Sequence, residues 1–175
     1  MTTPPKRRRR TRKHSHKPGN PQAQGAKRNP RPQRGGTKNR WFYDVRQYAL
    51  LTDAAGNILI LQLPKEYDAA AANTWTLPGG KLEPNDEPGA GLLREITEET
   101  GLTATLLGPC AVARWTSRNS KKLGIFYAAN VTGTKPAFKL SGEHQRAIWL
   151  NPAEVKDFPF HRPEMQDVIA AHTAK

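Results

Sequence analysis

The run WTLPGGKLEPNDEPGAGLLREITEETGL, from Trp75 to Leu102, carries more information than any other part of the chain. It crowds six carboxylates (Glu83, Asp86, Glu87, Glu95, Glu98 and Glu99) between a Pro78-Gly79-Gly80 turn and Gly101. Three of them, Glu95, Glu98 and Glu99, stand at i, i+3 and i+4. On a helix turning about 100° per residue they share one arc, roughly a quarter of the circumference. Like charges that close repel, and a cation can hold them together. Hard oxygen ligands on a rigid helix suit Mg²⁺ or Mn²⁺, which favour carboxylates together with substrate phosphates. A solvated acidic helix face is the plainer account, with Arg94 and Glu98 as an ordinary i,i+4 pair. It explains one ion pair but not the Gly-Gly turn, the carboxylate cluster and the terminal glycine at their offsets.

Working outward, the pattern predicts a helix from near Pro88 to Thr100. Proline is tolerated in the first turn, and Gly101 is the expected stop. Leu93 and Ile96 lie away from the carboxylate arc, so one side can pack while the other holds metal. Upstream, Arg46 to Leu51 and Ile58 to Leu63 read as strands joined across Asp53-Ala54-Ala55-Gly56-Asn57. Lys65 to Thr74 reads as a loop. Downstream, Thr103 to Thr116 and Gly124 to Val131 are strand-like, with Arg118-Asn119-Ser120-Lys121-Lys122 as a polar turn between them. Ala147 to Leu150 reads as a short strand. Asn151-Pro152-Ala153-Glu154 reads as a capped helix start, and Pro163 to His172 as a closing helix. This mixture is compatible with a mixed sheet between helices.

Composition divides the 175 residues unevenly. Net charge is +13, yet residues 1–40 hold 14 Lys and Arg and no acid. The remainder carries 14 basic and 15 acidic residues, a net charge of −1. Residues 1–40 are therefore expected to form a disordered Arg/Lys/Pro-rich arm, with almost nothing apolar to bury. Residues 41–175 are expected to form one folded domain. A single cysteine, Cys110, excludes an intramolecular disulfide framework and fits a reducing compartment. Lying in the apolar run Leu106 to Ala113, it is expected to be a buried small hydrophobe. No apolar stretch approaches the roughly 20 residues that span a bilayer. The N-terminus lacks the apolar core of a secretory signal, and its prolines oppose an amphipathic transit helix. A cytoplasmic location is expected.

The run resembles the Nudix box: Gly, five residues, Glu, seven residues, then Arg-Glu-aliphatic-x-Glu-Glu-x-Gly-aliphatic. Here it reads Gly80, five residues, Asp86, seven residues, then Arg94-Glu95-Ile96-Thr97-Glu98-Glu99-Thr100-Gly101-Leu102. Asp86 in place of Glu is its one departure. The resemblance implies a Nudix-type α/β/α sandwich with a mixed sheet over residues 41–175. It also implies metal-dependent hydrolysis of a phosphoanhydride in a nucleoside diphosphate linked to another group, aided by Mg²⁺ or Mn²⁺. Divalent ions would screen the phosphate charge and acidify water, and a carboxylate would take the proton. Glu98 and Glu99 match the family's metal-binding pair. Glu95 matches a metal ligand or general base, and Arg94 the arginine that steadies these carboxylates. The carbonyl of Gly79 matches a backbone metal ligand.

For Asp86, three outcomes stand open: the loop closes in, Glu87 substitutes, or the contact to arginine weakens. Glu83 matches a glutamate of uncertain supporting role. Glu143 is a second-tier metal or base candidate, weighed evenly against a solvent-facing loop acid. His144 is expected to be structural or exposed, and Trp149 to lie in the core.

Substrate is less legible. Among the substrate classes that the resemblance implies, a nucleoside triphosphate or related small nucleotide is expected by elimination. Trp115, Arg118, Lys121, Lys122, Phe126 and Tyr127 are candidates to meet base or phosphate, though plain strand and turn roles suffice for them. The arm suits counterion-release binding of nucleic acid, and a lipid surface or no specific partner are alternatives. One alternative function is therefore an RNA 5′-end pyrophosphohydrolase anchored by the arm. Another, of a different class, is a catalytically weak Nudix module that binds nucleotide or RNA. Oligomeric state is not legible.

Overall fold

The computed structural model describes residues 42–133 and 137–173. The expectations for the basic arm therefore lie outside the described residues.

The strand β1 (Asp44–Thr52) organises the sheet. Gln47 to Leu51 are five consecutive buried residues, as are the four from Ile58 to Leu61 in β2 (Ile58–Gln62). Continuous burial means that both faces of the sheet are covered. Alternation assigns the faces. Tyr48, Leu50, Ile58 and Ile60 join one apolar cluster, and Ala49, Leu51, Leu59 and Leu61 join the other. The first is closed by Met165, Val168 and Ile169 of one helix, Pro163–Thr173, and by Val155 of a 3₁₀ helix, Pro152–Asp157. The second is closed by Leu92 and Ile96 of the other helix, α1 (Pro88–Thr100). The expected α/β/α sandwich is the observed architecture; Pro163–Thr173 is hereafter α2.

Among the described residues the sheet has seven strands. β3 (Trp75–Thr76) and β4 (Gly79–Lys81) precede α1; β5 (Ala104–Ser117), β6 (Ser120–Val131) and β7 (Arg146–Leu150) follow it. Strand order is β3-β2-β1-β6-β5, with β4 on β1 and β7 on β2. β1 runs parallel to β6 from Asp44↔Lys122 to Thr52↔Asn130. Its other edge is forked: Arg46, Gln47 and Tyr48 pair antiparallel with β4, while β2 meets it at Thr52↔Ile58. The fork inserts the Gly79-Gly80 backbone beside β1.

Most strand positions follow the pattern reading, with ends shifted by one or two residues, except that β6 begins four residues earlier and that Gly79 and Gly80, read as part of a turn, belong to β4. Two expectations are corrected. The polar turn shrinks to Arg118 and Asn119, both left-handed at φ 48° and 62°, because Ser120 and Lys122 are recruited into β6. The Ser120 hydroxyl donates to Asp44 Oδ2 of β1 at 2.9 Å, and the Lys122 ammonium binds the same oxygen. Cys110 is exposed rather than buried. It lies on β5, the outer strand of the path, within the register shift between Pro109 and Ala111. Among the described residues, no helix is long and apolar enough to cross a membrane.

Candidate active site

Helix α1 supplies most of the acidic groups, and its ends show why it stops where it does. Gly101 takes a left-handed conformation, φ 71°, and its N–H donates to Thr97 O at 2.9 Å. The last carbonyls of α1 then find partners in a later segment. Lys139 N–H donates to Thr100 O at 3.0 Å and Ser141 N–H to Glu99 O at 3.2 Å. These bonds satisfy orphan helix acceptors. They also lay residues 139–141 on the helix end, which carries Glu143 and His144 up to Glu99.

Glu99 is the most constrained carboxylate, only 5 % exposed. Its Oε2 accepts the backbone N–H of Gly79 at 2.8 Å, and its Oε1 lies 3.8 Å from His144 Nε2. Burial pushes its pKa up to about 8; the Gly79 N–H opposes this, and Glu95, Glu143 and Glu98 reinforce it. Burial also moves the His144 imidazole down to about 4, so the 3.8 Å approach is no ion pair at neutral pH. Glu95 is raised as well, chiefly by desolvation, with Arg94 opposing and nearby carboxylates adding.

Backbone shape explains the glycines. Gly79 sits at φ 125°, and a Cβ there would meet Gln47 O at 2.2 Å. At Gly80 a Cβ would lie 3.6 Å from Glu95 Oε2. The two glycines thus present bare backbone between Glu95 and Glu99.

Arg94 holds the outer carboxylates. Its Nη2 donates to Asp86 Oδ2 at 2.9 Å and lies 3.3 Å from Glu95 Oε1; its Nη1 donates to Glu98 Oε2 at 3.0 Å. The Asp86 hydrogen bond, then Glu98 and Glu95, raise the guanidinium pKa above its already high ordinary value. Of the three outcomes open for Asp86, the loop closes in. Gly91 makes this possible: a Cβ at 91 would stand 3.1 Å from Asp86 Oδ2. Glu87 occupies the N-cap position of α1 without a side-chain cap bond. Glu83 pairs with Lys81 at 3.5 Å on the exposed side.

A cavity of about 630 Å³ opens over this region. Its lining includes Gly79, Gly80, Glu95, Glu99, Glu143 and His144 together with Tyr67, Asp68, Trp115, Arg118, His161 and Arg162, and also Arg46 and Lys122. The volume lies within the usual range for small-ligand sites. Glu98 is not on this lining; it faces outward in its pair with Arg94. Among the described residues, no three His, Cys, Asp or Glu side chains converge on one metal position. The donor set still fits a hard divalent cation. Glu95, Glu99 and Glu143 are all oxygen donors, and a cation there would favour the ionised form of Glu99 that burial disfavours.

Of the substrate candidates, Trp115, Arg118 and Lys122 border the cavity. Phe126 is wholly buried, Tyr127 packs with the α1-side cluster, and Lys121 is off the lining. His144 is buried, and Trp149 packs half-buried on the α1 side. Sequence reasoning did not single out Arg46, Tyr67, Asp68, His161 or Arg162. Arg46 had a signal, being a charge in a strand of apolar residues; the others lie in irregular segments without periodicity.

The model of the Nudix domain family matches residues 43–171. The chain belongs to that family and is a Nudix hydrolase. It is 32 % identical over 113 residues to a CTP pyrophosphohydrolase of Escherichia coli, covering 63 % of this chain and 78 % of that one. An RNA pyrophosphohydrolase of Acidiphilium cryptum is 29 % identical over 133 residues, covering 66 % and 80 %. Among solved structures, a MutT protein from Methanosarcina mazei superposes with a TM-score of 0.65 at 24 % identity, over 75 % of this chain and 93 % of that one.

Proposed function

We propose that this hydrolase cleaves a phosphoanhydride in a nucleoside triphosphate or related small nucleotide, using residues 41–175 and a divalent cation, Mg²⁺ or Mn²⁺. The observation that carries the reading is the cavity whose lining joins carboxylates and bare Gly79-Gly80 backbone with aromatic and cationic groups.

In this reading Gly79 through its carbonyl, with Glu95, Glu99 and Glu143, would hold the cation. Bound there, it would screen the phosphate charge and make water a better nucleophile. Glu99 is fixed by the Gly79 N–H, so its second oxygen stays directed towards His144 and the cavity. Glu95 or Glu143 accepts the proton of the attacking water. Arg94 keeps Glu95 and Glu98 in place. Glu98 enters by its match to the family pair; joining the others requires it to leave Arg94. The phosphates meet Arg46 and Lys122 along the cavity wall. Family relatives named for CTP and for RNA support hydrolysis of nucleotides and leave the base open.

The RNA relative also favours a second reading, in which residues 1–40 anchor a 5′-triphosphate RNA by charge. One assay separates the two. The full chain is incubated with Mg²⁺ and nucleoside triphosphates, dinucleoside polyphosphates, ADP-ribose or 5′-triphosphate RNA, and phosphate and pyrophosphate release are followed beside Glu95→Gln, Glu98→Gln and Glu99→Gln. Turnover of nucleotides, lost in the variants, is expected. Turnover indifferent to all three substitutions would refute the assignment. Binding without turnover would favour the regulatory module.

A further inference from the structure

We propose that the α1-side face of the sheet, where β4, β1, β6 and β5 run out beyond the first turn of α1, is the contact surface of a two-fold homodimer. Its occupant is a second copy of this chain. The inference goes beyond the hydrolytic reading and does not depend on it.

Sheet register builds the surface. Leu82 N–H donates to Val45 O at 3.0 Å; Val45 pairs with Leu123, and Leu123 with Arg114. In the next row Gln47 pairs with Ile125, and Ile125 with Val112. Partners across a ladder share a face, and so do residues two apart along a strand. Val45 and Gln47 therefore look the same way as Ala49 and Leu51, towards α1. The helix stops short of the outer row. Its first turn crosses from Gln47 to Leu106: a Cβ at Gly91 would stand 3.3 Å from Gln47 Nε2, and one at Gly89 3.4 Å from Leu106 Cδ1. Val45, Leu82, Leu123, Ile125 and Val112 belong to neither core cluster. Val112 is 64 % exposed, and Tyr43, two residues before Val45, is 37 % exposed. A sheet face left to water reads polar. Here four adjacent strands offer contiguous apolar side chains, the mark of an association surface. The opposite face of the same strands carries Arg46, Tyr48, Lys122 and Trp115 of the cavity lining, so a partner here leaves the cavity open.

Charge selects the partner. Arg114, in line with Leu123, marks the border on the β5 side. Glu87 marks the border on the helix side, at the head of the turn that crosses the face. Both are exposed, and among the described residues neither makes an ion pair. A two-fold axis lying in the contact plane sets Arg114 of one copy against Glu87 of the other, and forms that contact twice. One chain thus carries both halves of a complementary border. The apolar footprint is small, about 14 Å over three strand spacings by about 13 Å along four residues. A reversible dimer at the low end of interface size follows, with Kd on the order of micromolar.

Sedimentation velocity on the full chain, nuclease-treated and reduced, tests this between about 1 and 200 µM. A shift from monomer to dimer with concentration is expected. Val112→Glu, which carries a charge into the apolar centre, should raise Kd at least about tenfold. Arg114→Glu and Glu87→Arg should each raise it about tenfold, and the two together should recover most of the loss. Circular dichroism checks the fold of each variant; were Val112→Glu to misfold, the charge exchange decides alone. A full chain that stays monomeric throughout overturns the proposal and leaves the face to a different protein. So does a dimer indifferent to Val112→Glu, or a double exchange that associates no better than either single change.

Discussion

The Gly79 N–H and Glu99 Oε2, twenty residues apart in sequence, meet at 2.8 Å. This bond ties the bare turn of β4 to the last turn of α1, so the turn and the helix are placed as one unit. It depends on a backbone shape that only glycine adopts freely, φ 125°. Gly79→Ala is expected to strain that backbone and drive a Cβ against Gln47 O. A loss of roughly 2–3 kcal/mol in urea unfolding should result, with turnover falling further than stability explains. Wild-type stability and turnover would show that the β4–α1 tie is dispensable.

Asp86 and Arg94 yield a second expectation. Asp86 reaches the guanidinium because Gly91 lets the loop lie against α1. Asp86→Ala should free Arg94 from its loop anchor and let it draw Glu95 further outward. The melting temperature should hardly move, since the pair is exposed, while kcat falls about tenfold. Gly91→Ala should mimic part of this by pushing Asp86 away. Equal kcat in all three proteins would mean that Arg94 needs no anchor.

How much of this was legible follows from which contacts are local. The helix from Pro88 to Thr100 and its stop at Gly101 rest on neighbouring residues, and the pattern alone locates both. Strands β1 and β2 are legible for the same reason. Arg118 in a left-handed turn is not, because Arg has no such preference; the tight turn is set by Asp44, far back in the chain, drawing Ser120 and Lys122 into β6. Cys110 misleads because an apolar run does not reveal that its strand lies at a sheet edge. Glu95, Glu98 and Glu99 do share an arc of α1. Only the three-way grip of Arg94 shows that Glu98 faces outward while the others border the cavity. The burial of His144 depends on residues 139–141 docking on the helix end, which no local pattern encodes.

The basic arm supplies a prediction from charge. Its 14 cations and absence of acid make it a polyelectrolyte partner. Removing residues 1–39 should spare the kcat/KM of small nucleotides and weaken RNA binding most at low salt. The slope of log K against log salt should flatten by about 0.7 for every arm cation that had met a phosphate on single-stranded RNA. Binding isotherms across a salt series measure this. Equal slopes with and without the arm would show that it contacts no phosphate.

Glu99 makes stability itself a reporter of the cation. Its carboxyl is raised from 4.5 to about 8, first by burial, against the pull of the Gly79 N–H, and further by Glu95, Glu143 and Glu98. A carboxyl raised on folding favours the protonated state in the native protein. Its contribution is therefore full below about pH 4.5 and is lost as pH rises towards 8, at roughly 1.4 kcal/mol for each pH unit crossed. In chelator, the full chain should lose stability over that interval relative to Glu99→Gln, which carries no titrating group there. A bound divalent cation favours the ionised carboxylate and reverses the sign, so with Mg²⁺ or Mn²⁺ present the gap should narrow or invert at pH 8. Urea titrations at pH 5, 6.5 and 8, with chelator and with Mg²⁺, give the comparison. Parallel pH profiles for the two proteins under both conditions would mean that Glu99 does not titrate as placed, and that the cation, if bound, is held without it.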